Sequence, residues 1–144
     1  MAGAMVYADT CLLVSLFLRD SGTEAALAWL DETAGHPVIA SHWSLTEFSS
    51  AAASLARQKR ITGKLHAEAV RRFRGFAAQR LTLEPPLSAD FERASVVVDH
   101  YATGLRAGDA VHLALCARLN ATLCTADKVM TMAAKAMGIK ARQI

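Results

Sequence analysis

The stretch LRAGDAVHLALCARLNATLCTAD, from Leu105 to Asp127, places two aspartates beside apolar segments of the chain. Asp109 opens a run whose apolar spacing predicts a helix over 109–119. Asp127 follows ATLCT (121–125), which predicts a short strand. A charged group at the boundary of a buried element costs free energy unless it faces water, a partner or a metal ion. These two carboxylates therefore need an explanation in terms of a ligand or of helix capping.

The composition is that of a globular chain able to form a hydrophobic core. Of the 144 residues, 53% are hydrophobic and 20% are charged, which excludes an intrinsically disordered protein. This length predicts a single domain over 1–144. The net charge of +3 permits binding to nucleic acid but does not by itself indicate it. The segment MAGAM (1–5) leaves open whether Met1 or Met5 is the natural start.

The cysteines and apolar runs indicate a protein of a reducing compartment. Cys11, Cys116 and Cys124 are odd in number, lie in apolar runs and form no C-x-x-C pair. We therefore expect reduced, buried thiols rather than disulfides or structural zinc. The apolar run at 11–18 is too short to span a bilayer and follows no basic segment. The sequence thus predicts a cytoplasmic protein with no membrane contact.

Short apolar segments alternate with helical patterns along the chain. Strands separated by helices pair in parallel and are covered on both faces, so this order predicts an α/β fold with a short, mainly parallel sheet. The predicted strands cover 5–9, 36–41, 80–84, 121–125 and 139–143. The predicted helices cover 10–18, 23–34, 44–60, 64–79, 109–119 and 127–137, with a further helix starting at Ser88.

Four acidic residues fall at the carboxyl ends of the predicted strands or in the helices beside them. Asp9 ends the first strand, Glu47 lies in the first turn of the helix after the second, and Asp109 and Asp127 start helices. Ligands bind at this edge of a parallel sheet, so we expect the four side chains in one pocket. Clustered carboxylates repel one another unless a hard divalent cation binds them. This favours Mg2+ or Mn2+ and the hydrolysis of phosphodiesters.

An alternative interpretation of the same acids needs no ligand. Each of the three aspartates ends a strand or starts a helix, where a carboxylate is favoured as a cap, and Glu47 alone fits a solvated helix face. Thr10 and Thr125 flank the acids. Their hydroxyls either hold metal-bound waters or cap the helices that follow.

Four motifs resemble, in order, the successive motifs of PIN-domain ribonucleases, and in particular those of the VapC toxins of VapBC toxin–antitoxin pairs. They are VYADTCLLVSLFLRDSG (6–22), SLTEFSSAAASLAR (44–57), the stretch at 105–127, and AAKAMGIKA (133–141). The resemblance covers nearly the whole chain and implies a PIN-like three-layer α/β/α domain. It also implies a Mg2+- or Mn2+-dependent endoribonuclease that hydrolyses RNA with activated water, an antitoxin that silences it, and a homodimer.

The resemblance assigns roles to the acidic residues. It implies that Asp9 and Asp109 are the core metal ligands and that Asp127 joins them directly or through water. Glu47 completes the acidic pocket, and the catalytic role falls to the four acids together. Thr125 matches the hydroxyl residue that the family usually carries two positions before the last acid.

Several residues outside the acidic cluster are candidates for RNA contacts. Trp43 follows the second predicted strand, where its ring either stacks on a base at the pocket rim or packs in the core. Arg57, Lys59 and Arg60 form a basic run that is either a track for the phosphate backbone or a solvated helix face. His112 is either a general base or, as we favour, a packed helix histidine.

Apolar side chains on the second and fourth predicted helices suggest a docking surface for a partner. The core is not expected to bury all of the large apolar side chains on these helices, which are Trp29, Leu30, Phe73 and Phe76. Those left exposed would form an apolar groove that accepts an amphipathic helix of an antitoxin. The acidic pocket would attract a basic side chain of that partner. Two other functions stay open: a housekeeping PIN nuclease in RNA processing, and a non-catalytic binding module whose acids are helix caps.

Overall fold

A central parallel sheet organises the structure, a computed structural model that describes residues 5–144; Met1, one of the two candidate starts, lies outside this range. The strands are β1 (Val6–Ala8), β2 (Val38–Ser41), β3 (Leu81–Glu84), β4 (Thr122–Thr125) and β5 (Ala141–Gln143). All neighbouring strands pair in parallel, in the order β3-β2-β1-β4-β5, so β1 is the middle strand. The α/β class and the parallel sheet predicted from the sequence are confirmed.

Seven α-helices and one 3-10 turn connect the strands within residues 5–144. They are α1 (Thr10–Phe17), α2 (Thr23–Glu32), α3 (His42–Arg57), α4 (Gly63–Arg80), α5 (Ser88–Asp99), the 3-10 turn Tyr101–Thr103, α6 (Ala107–Leu119) and α7 (Lys128–Ala136). The predicted helices are present, with ends that differ from the predicted ones by at most three residues. Over the described range, none of these helices has the length and apolar character that a bilayer-crossing segment requires.

The alternation of side chains along the strands divides the core into two halves. Tyr7 and Leu123 belong to the half that packs against α5, α6 and α7. Their strand neighbours Ala8 and Cys124 belong to the other half, with α1, α2, α3 and α4. Because successive strand residues point to opposite faces, the sheet carries an apolar surface on each side and a helical layer covers each one. This is the three-layer α/β/α arrangement.

Side-chain hydrogen bonds set the starts of α4 and α5. The helix predicted from residue 64 starts one residue earlier, at Gly63. The Thr62 hydroxyl accepts a backbone hydrogen bond in the first turn, at 3.1 Å, and thereby starts the helix. The α5 helix starts at Ser88, as predicted. There the carboxylate of Asp90 accepts from the Leu87 amide at 2.8 Å.

An ion pair between Asp90 and Arg118 joins α5 to α6. The Arg118 guanidinium donates to both carboxylate oxygens over 2.9 to 3.1 Å. The Asp90 side chain is only 3% exposed. Burial alone would raise the pKa of Asp90, but the hydrogen bonds and charge of Arg118 outweigh it, so this pKa lies below its ordinary value.

The strand order places a crevice at the carboxyl edge of the sheet. From β1 the chain crosses to β2 on one side, whereas β4 pairs with the other side of β1. The carboxyl ends of β1 and β4 are therefore adjacent at the point where the connections diverge, which is where open α/β sheets bind ligands. Asp9 directly follows β1, and Asp127 follows β4 after one intervening residue.

Candidate active site

Asp9 occupies the centre of this edge, where β1 ends and α1 begins. Its Oδ1 accepts from the Thr10 amide at 2.7 Å and so caps α1. Its Oδ2 accepts from the Thr125 hydroxyl at 2.8 Å and from the Cys11 thiol at 3.0 Å. Burial and the Asp9 charge raise the pKa of Cys11 to about 12, so the thiol keeps its proton and remains a donor. Three donors thus stabilise a carboxylate that is only 5% exposed.

Thr125 and Asp127 form the β4 side of the site. Thr125 is fully buried, and its hydroxyl oxygen accepts from the Asp127 amide at 3.1 Å. Oδ1 of Asp127 accepts from the Val129 and Met130 amides at 2.8 and 3.2 Å and thereby caps α7. Its Oδ2 has no hydrogen-bond donor within residues 5–144. The Thr125 hydroxyl connects two acids of the site and does not itself cap the following helix.

Asp109 lies in the first turn of α6. Its Oδ2 accepts from the Arg106 amide at 3.3 Å, and the Arg106 guanidinium is 3.9 Å away. Burial raises the pKa of Asp109, and so do the negative charges of Asp9 and Asp127, while the contacts with Arg106 only partly offset them. A carboxyl pKa raised by other carboxylates indicates acids gathered in one place.

Glu47 reaches the pocket from α3. Its Oε1 accepts from the Thr10 hydroxyl at 2.7 Å and is hydrogen-bonded to Nε2 of His112. Burial alone would raise the pKa of Glu47, but hydrogen bonds from His112, Thr10 and Trp43 together with the charge of His112 outweigh it, and the pKa lies below its ordinary value. The Glu47 side chain is 26% exposed, so it is not the solvated helix residue of the alternative interpretation.

His112 and Tyr7 form a buried polar network behind the acids. Nδ1 of His112 lies 2.6 Å from the Tyr7 hydroxyl, and Nε2 lies 3.3 Å from the Thr10 hydroxyl and 3.9 Å from Oδ1 of Asp9. Burial alone would lower the pKa of His112, but Glu47 and Asp9 outweigh it and raise this pKa. Tyr7 was not predicted from the sequence, because within an apolar strand it has the pattern of an ordinary core residue. Its position two residues before Asp9 is the only signal in the sequence.

Gly108 closes the pocket beside Glu47. A Cβ atom on Gly108 would lie 2.8 Å from Oε2 of Glu47 and 3.2 Å from Nε1 of Trp43. Glycine is required here because any side chain would displace the carboxylate or the indole. Trp43 is 37% exposed, so it occupies the pocket rim rather than the core.

The basic run lies away from the acidic pocket. Arg57, Lys59 and Arg60 are exposed at and just beyond the carboxyl end of α3. Glu47 is near the start of the same helix, and ten residues of helix correspond to about 15 Å along its axis. The structure therefore does not bring this run into the pocket, and its contact with RNA stays a prediction.

Two of the four residues predicted to form a partner surface belong to the core. Trp29 and Phe73 are each 1% exposed, so the prediction that they line an exposed groove is wrong. The Phe73 ring stacks on Phe48 with ring centroids 3.9 Å apart. The strands under this layer contribute small residues, including Ala8 and Ala40, and leave room for large rings. Leu30 and Phe76 are partly buried against the same cluster.

The donor set suits a hard divalent cation. The pocket offers carboxylate oxygens supported by hydroxyls. The pKa of Asp109 is raised mainly by burial and further by the charges of Asp9 and Asp127, and a bound cation would relieve this repulsion. In the described range, no three His, Cys, Asp or Glu side chains already converge in a geometry that would hold an ion. Binding would therefore require side chains that now cap helices, such as Asp127, to turn toward a common point.

A comparison with protein families covers the elements that build this pocket. The PIN domain family model matches residues 6–136, which include all four acids. The chain belongs to the PIN domain family. No curated protein matches the sequence.

Solved structures resemble this PIN domain over most of its length. The FitAB structure, bound to an IR36 DNA fragment, is 21% identical, with a TM-score of 0.71, and the match covers 96% of this chain and 94% of that one. VapBC2 from Rickettsia felis, bound to a promoter DNA fragment, is 15% identical, covers 96% and 98%, and has a TM-score of 0.68. VapC20 from Mycobacterium tuberculosis, a Sarcin-Ricin loop cleaving toxin, is 17% identical, covers 82% and 86%, and has a TM-score of 0.63. At these identities the likeness establishes a shared fold.

Proposed function

We propose that this protein is a Mg2+- or Mn2+-dependent endoribonuclease and the toxin of a type II toxin–antitoxin pair. The observation that carries the proposal is that Asp9 and Asp127 follow paired strands at the carboxyl edge of a PIN-domain sheet, where the Thr125 hydroxyl contacts both. Glu47 lies beside them through its hydrogen bond with Thr10, and Asp109 lies in the first turn of α6. Nuclease activity is typical of the PIN family. The resemblance to VapC20, a Sarcin-Ricin loop cleaving toxin, supports RNA as the substrate.

Each acid has a role in this proposal. Asp9 and Asp109 would hold the metal, with Asp127 joining them directly or through water and Glu47 completing the pocket. A bound divalent cation supplies a Lewis acid for the phosphate and lowers the pKa of a coordinated water. Thr125 keeps the Asp9 carboxylate in place through its hydrogen bond to Oδ2.

The proposed reaction is hydrolysis of an RNA phosphodiester by water. The bond from phosphorus to the 3′-oxygen breaks, which leaves a 5′-phosphate and a 3′-hydroxyl, and the 2′-hydroxyl is not the nucleophile. Single-stranded or looped RNA is the expected substrate because its bases and backbone are accessible to a shallow pocket.

Mapping the ends of cleaved RNA tests this proposal. We expect cleavage with Mg2+ or Mn2+, none with a chelator, and 5′-phosphate ends. Asp9→Asn and Asp127→Asn should abolish or strongly reduce cleavage while the circular dichroism spectrum stays native. Asp31→Asn, at an exposed position on α2, is the matched control and should cleave normally. Ends with a 2′,3′-cyclic phosphate would refute the mechanism.

The basic run and Trp43 are proposed to contact RNA without taking part in the chemical step. Replacing Arg57, Lys59 and Arg60 with alanine should weaken RNA binding and reduce its dependence on salt concentration. Trp43→Ala should also weaken binding, since a base would lose its stacking surface. Cleavage rates at saturating protein should change little for the basic variants.

An antitoxin is the proposed protein partner. The likeness to VapBC2, a structure bound to DNA from its own promoter, supports a co-encoded partner of this kind. An amphipathic helix of the antitoxin would contact Leu30 and Phe76, and an arginine side chain of the antitoxin would enter the acidic pocket. Leu30→Ala and Phe76→Ala should weaken binding and inhibition. Trp29→Ala is not a usable probe because that residue lies in the core.

We also propose that residues 1–144 form one domain of a cytoplasmic protein and that this protein forms a homodimer. Phe91 is 49% exposed and lines a mainly apolar groove between α5 and α6 together with Val98 and Val111. A second copy of the chain would cover this face. Light scattering should give the mass of a dimer for the wild type and that of a monomer for Phe91→Asp, and a monomeric wild type would refute the dimer.

A further inference from the structure

We propose that Tyr7 and His112 are a buried positioning pair that fixes the Glu47 carboxylate at the edge of the acidic pocket. Neither residue touches RNA in this proposal, because both act through Glu47. Only the expected effect on metal binding rests on the proposed function. The arrangement itself belongs to the metal-free protein.

The two oxygens of Glu47 have different neighbours. Oε1 accepts from the Thr10 hydroxyl at 2.7 Å and is hydrogen-bonded to Nε2 of His112. Oε2 faces the backbone of Gly108 and the indole N–H of Trp43. A glutamate side chain loses rotamer entropy when it is fixed, so a partly exposed carboxylate keeps one orientation only if contacts of this kind hold it.

The Tyr7 hydroxyl determines which nitrogen of His112 carries the proton. A neutral phenol has one proton to donate, and Nδ1 of His112 lies 2.6 Å from it. In a neutral imidazole Nδ1 then accepts, so the proton is on Nε2 and is donated to Glu47. In the imidazolium both ring nitrogens carry protons, and Nε2 donates to Glu47 in the same way. The opposite tautomer would place the lone pair of Nε2 against the carboxylate.

Core packing alone does not account for this pair. Tyr7 and His112 are both fully buried, and a buried polar group costs free energy unless it is hydrogen-bonded. Apolar residues would fill the same space without that cost. The two rings meet edge to face, with centroids 5.7 Å apart and an interplanar angle of 64°. Their polar contact is the hydrogen bond between the Tyr7 hydroxyl and Nδ1 of His112.

Histidine NMR of the metal-free protein tests the arrangement without any need for nuclease activity. Long-range proton–nitrogen spectra of protein labelled with 15N-histidine assign the proton on each ring. We expect a proton on Nε2 of His112, and a clear shift of that resonance in Glu47→Gln. Glu32→Gln, at a distant exposed ion pair, is the matched control and should leave the resonance unchanged. A bare Nε2 in the wild type would overturn the proposal.

Binding of Mn2+, followed by electron paramagnetic resonance, tests whether the pair acts through Glu47. Tyr7→Phe removes only the hydroxyl, and His112→Asn removes the donor to Glu47. We expect each to weaken Mn2+ binding about tenfold, as does the loss of a group that orients a metal ligand. His112→Gln, whose amide nitrogen can take the place of Nε2, should bind nearly as the wild type does.

Repeating the Mn2+ measurement in Glu47→Ala protein separates an effect on the position of Glu47 from a general effect on the fold. In Glu47→Ala protein, adding Tyr7→Phe should cause no further loss of Mn2+ binding. An equal loss with and without Glu47, or no loss in the otherwise wild-type protein, would overturn the proposal. A wild-type protein that binds no Mn2+ would instead refute the proposed function, and the histidine spectra would still decide the positioning of Glu47.

Discussion

The hydroxyl of Thr125 lies 2.8 Å from Oδ2 of Asp9 and connects the ends of β4 and β1 across the pocket. The same hydroxyl oxygen accepts the Asp127 amide at 3.1 Å. One small side chain therefore sets the relative position of two acids that come from different strands. A hydroxyl is needed for this because Thr125 must donate to one acid and accept from the other.

Thr125→Val tests this link because valine keeps the shape and removes the hydroxyl. Oδ2 of Asp9 would lose a donor in a buried site, and the free energy of unfolding should fall by about 1–3 kcal/mol. Urea unfolding measures the change, and Thr125→Ser should restore most of it. If Thr125→Val proves as stable as the wild type, the Thr125 hydroxyl does not support Asp9.

Gly108→Ala should impair the pocket at a position where the substitution would otherwise be harmless. Glycine to alanine within a helix usually adds about 0.5–1 kcal/mol of stability. Gly75 in α4 provides the control, since nothing lies within 4 Å of a Cβ built there. We expect Gly75→Ala to raise the melting temperature. Gly108→Ala should show no such gain and should cleave RNA more weakly, because its methyl group displaces Glu47. Equal gains in both variants would contradict the close contact.

Asp109→Asn should separate the effect of charge repulsion from that of metal binding. The raised pKa of Asp109 means that its ionised form is disfavoured in the metal-free fold. In the absence of metal, Asp109→Asn should therefore be at least as stable as the wild type. A cation in hundredfold excess over its Kd stabilises the wild type by about 2.7 kcal/mol, and the variant should lose most of this gain. Thermal melting with and without Mg2+ measures both effects. A clearly less stable metal-free variant would make Asp109 a structural cap.

The Asp90–Arg118 pair predicts a specific loss of stability in acid. Because the folded-state pKa of Asp90 is below its ordinary value, the pair stabilises the fold above about pH 4, and this contribution disappears as the pH falls through the folded-state pKa. Arg118→Leu should cost about 3 kcal/mol at neutral pH, since it leaves a buried carboxylate unpaired. Urea unfolding from pH 7 to pH 3 should show a smaller pH dependence in this variant.

An exposed ion pair provides the control for that experiment. Arg142 and Glu32 are 2.6 Å apart, but their side chains are 52% and 54% exposed. Arg142→Leu should therefore cost less than about 1 kcal/mol. Equal costs for the two arginine variants would mean that burial of Asp90 does not strengthen its pair.

The sequence predicted the positions of the acids because this required only the order of the elements. Alternating strands and helices imply a parallel sheet, and in such a sheet residues that end different strands share one edge. The positions of Asp9 and Asp127 at this edge could be predicted from the order of the elements alone. The positions of Glu47 and Asp109 could be predicted because each lies near the start of a helix, and the starts of these helices were expected at that edge.

Residues whose role depends on long-range packing were not predictable in this way. Trp29 and Phe73 became core residues because the facing strands are lined by small side chains, and the pairing of these surfaces is not visible in local periodicity. Tyr7 and His112 are 105 positions apart in the chain, and only the folded chain brings them within hydrogen-bond distance. Gly108 was missed for the same reason, since its neighbour Glu47 comes from another helix.

The length of α3 has a consequence for the size of molecule that this protein can distinguish. The helix separates Glu47 from Arg57 by about 15 Å along its axis, so in the proposed complex only an RNA of several nucleotides would contact both at once. A dinucleotide would reach the acids and gain nothing from the distant positive charge. In that proposal, discrimination between short and long RNA would depend on the helix as a spacer between the acids and the basic run.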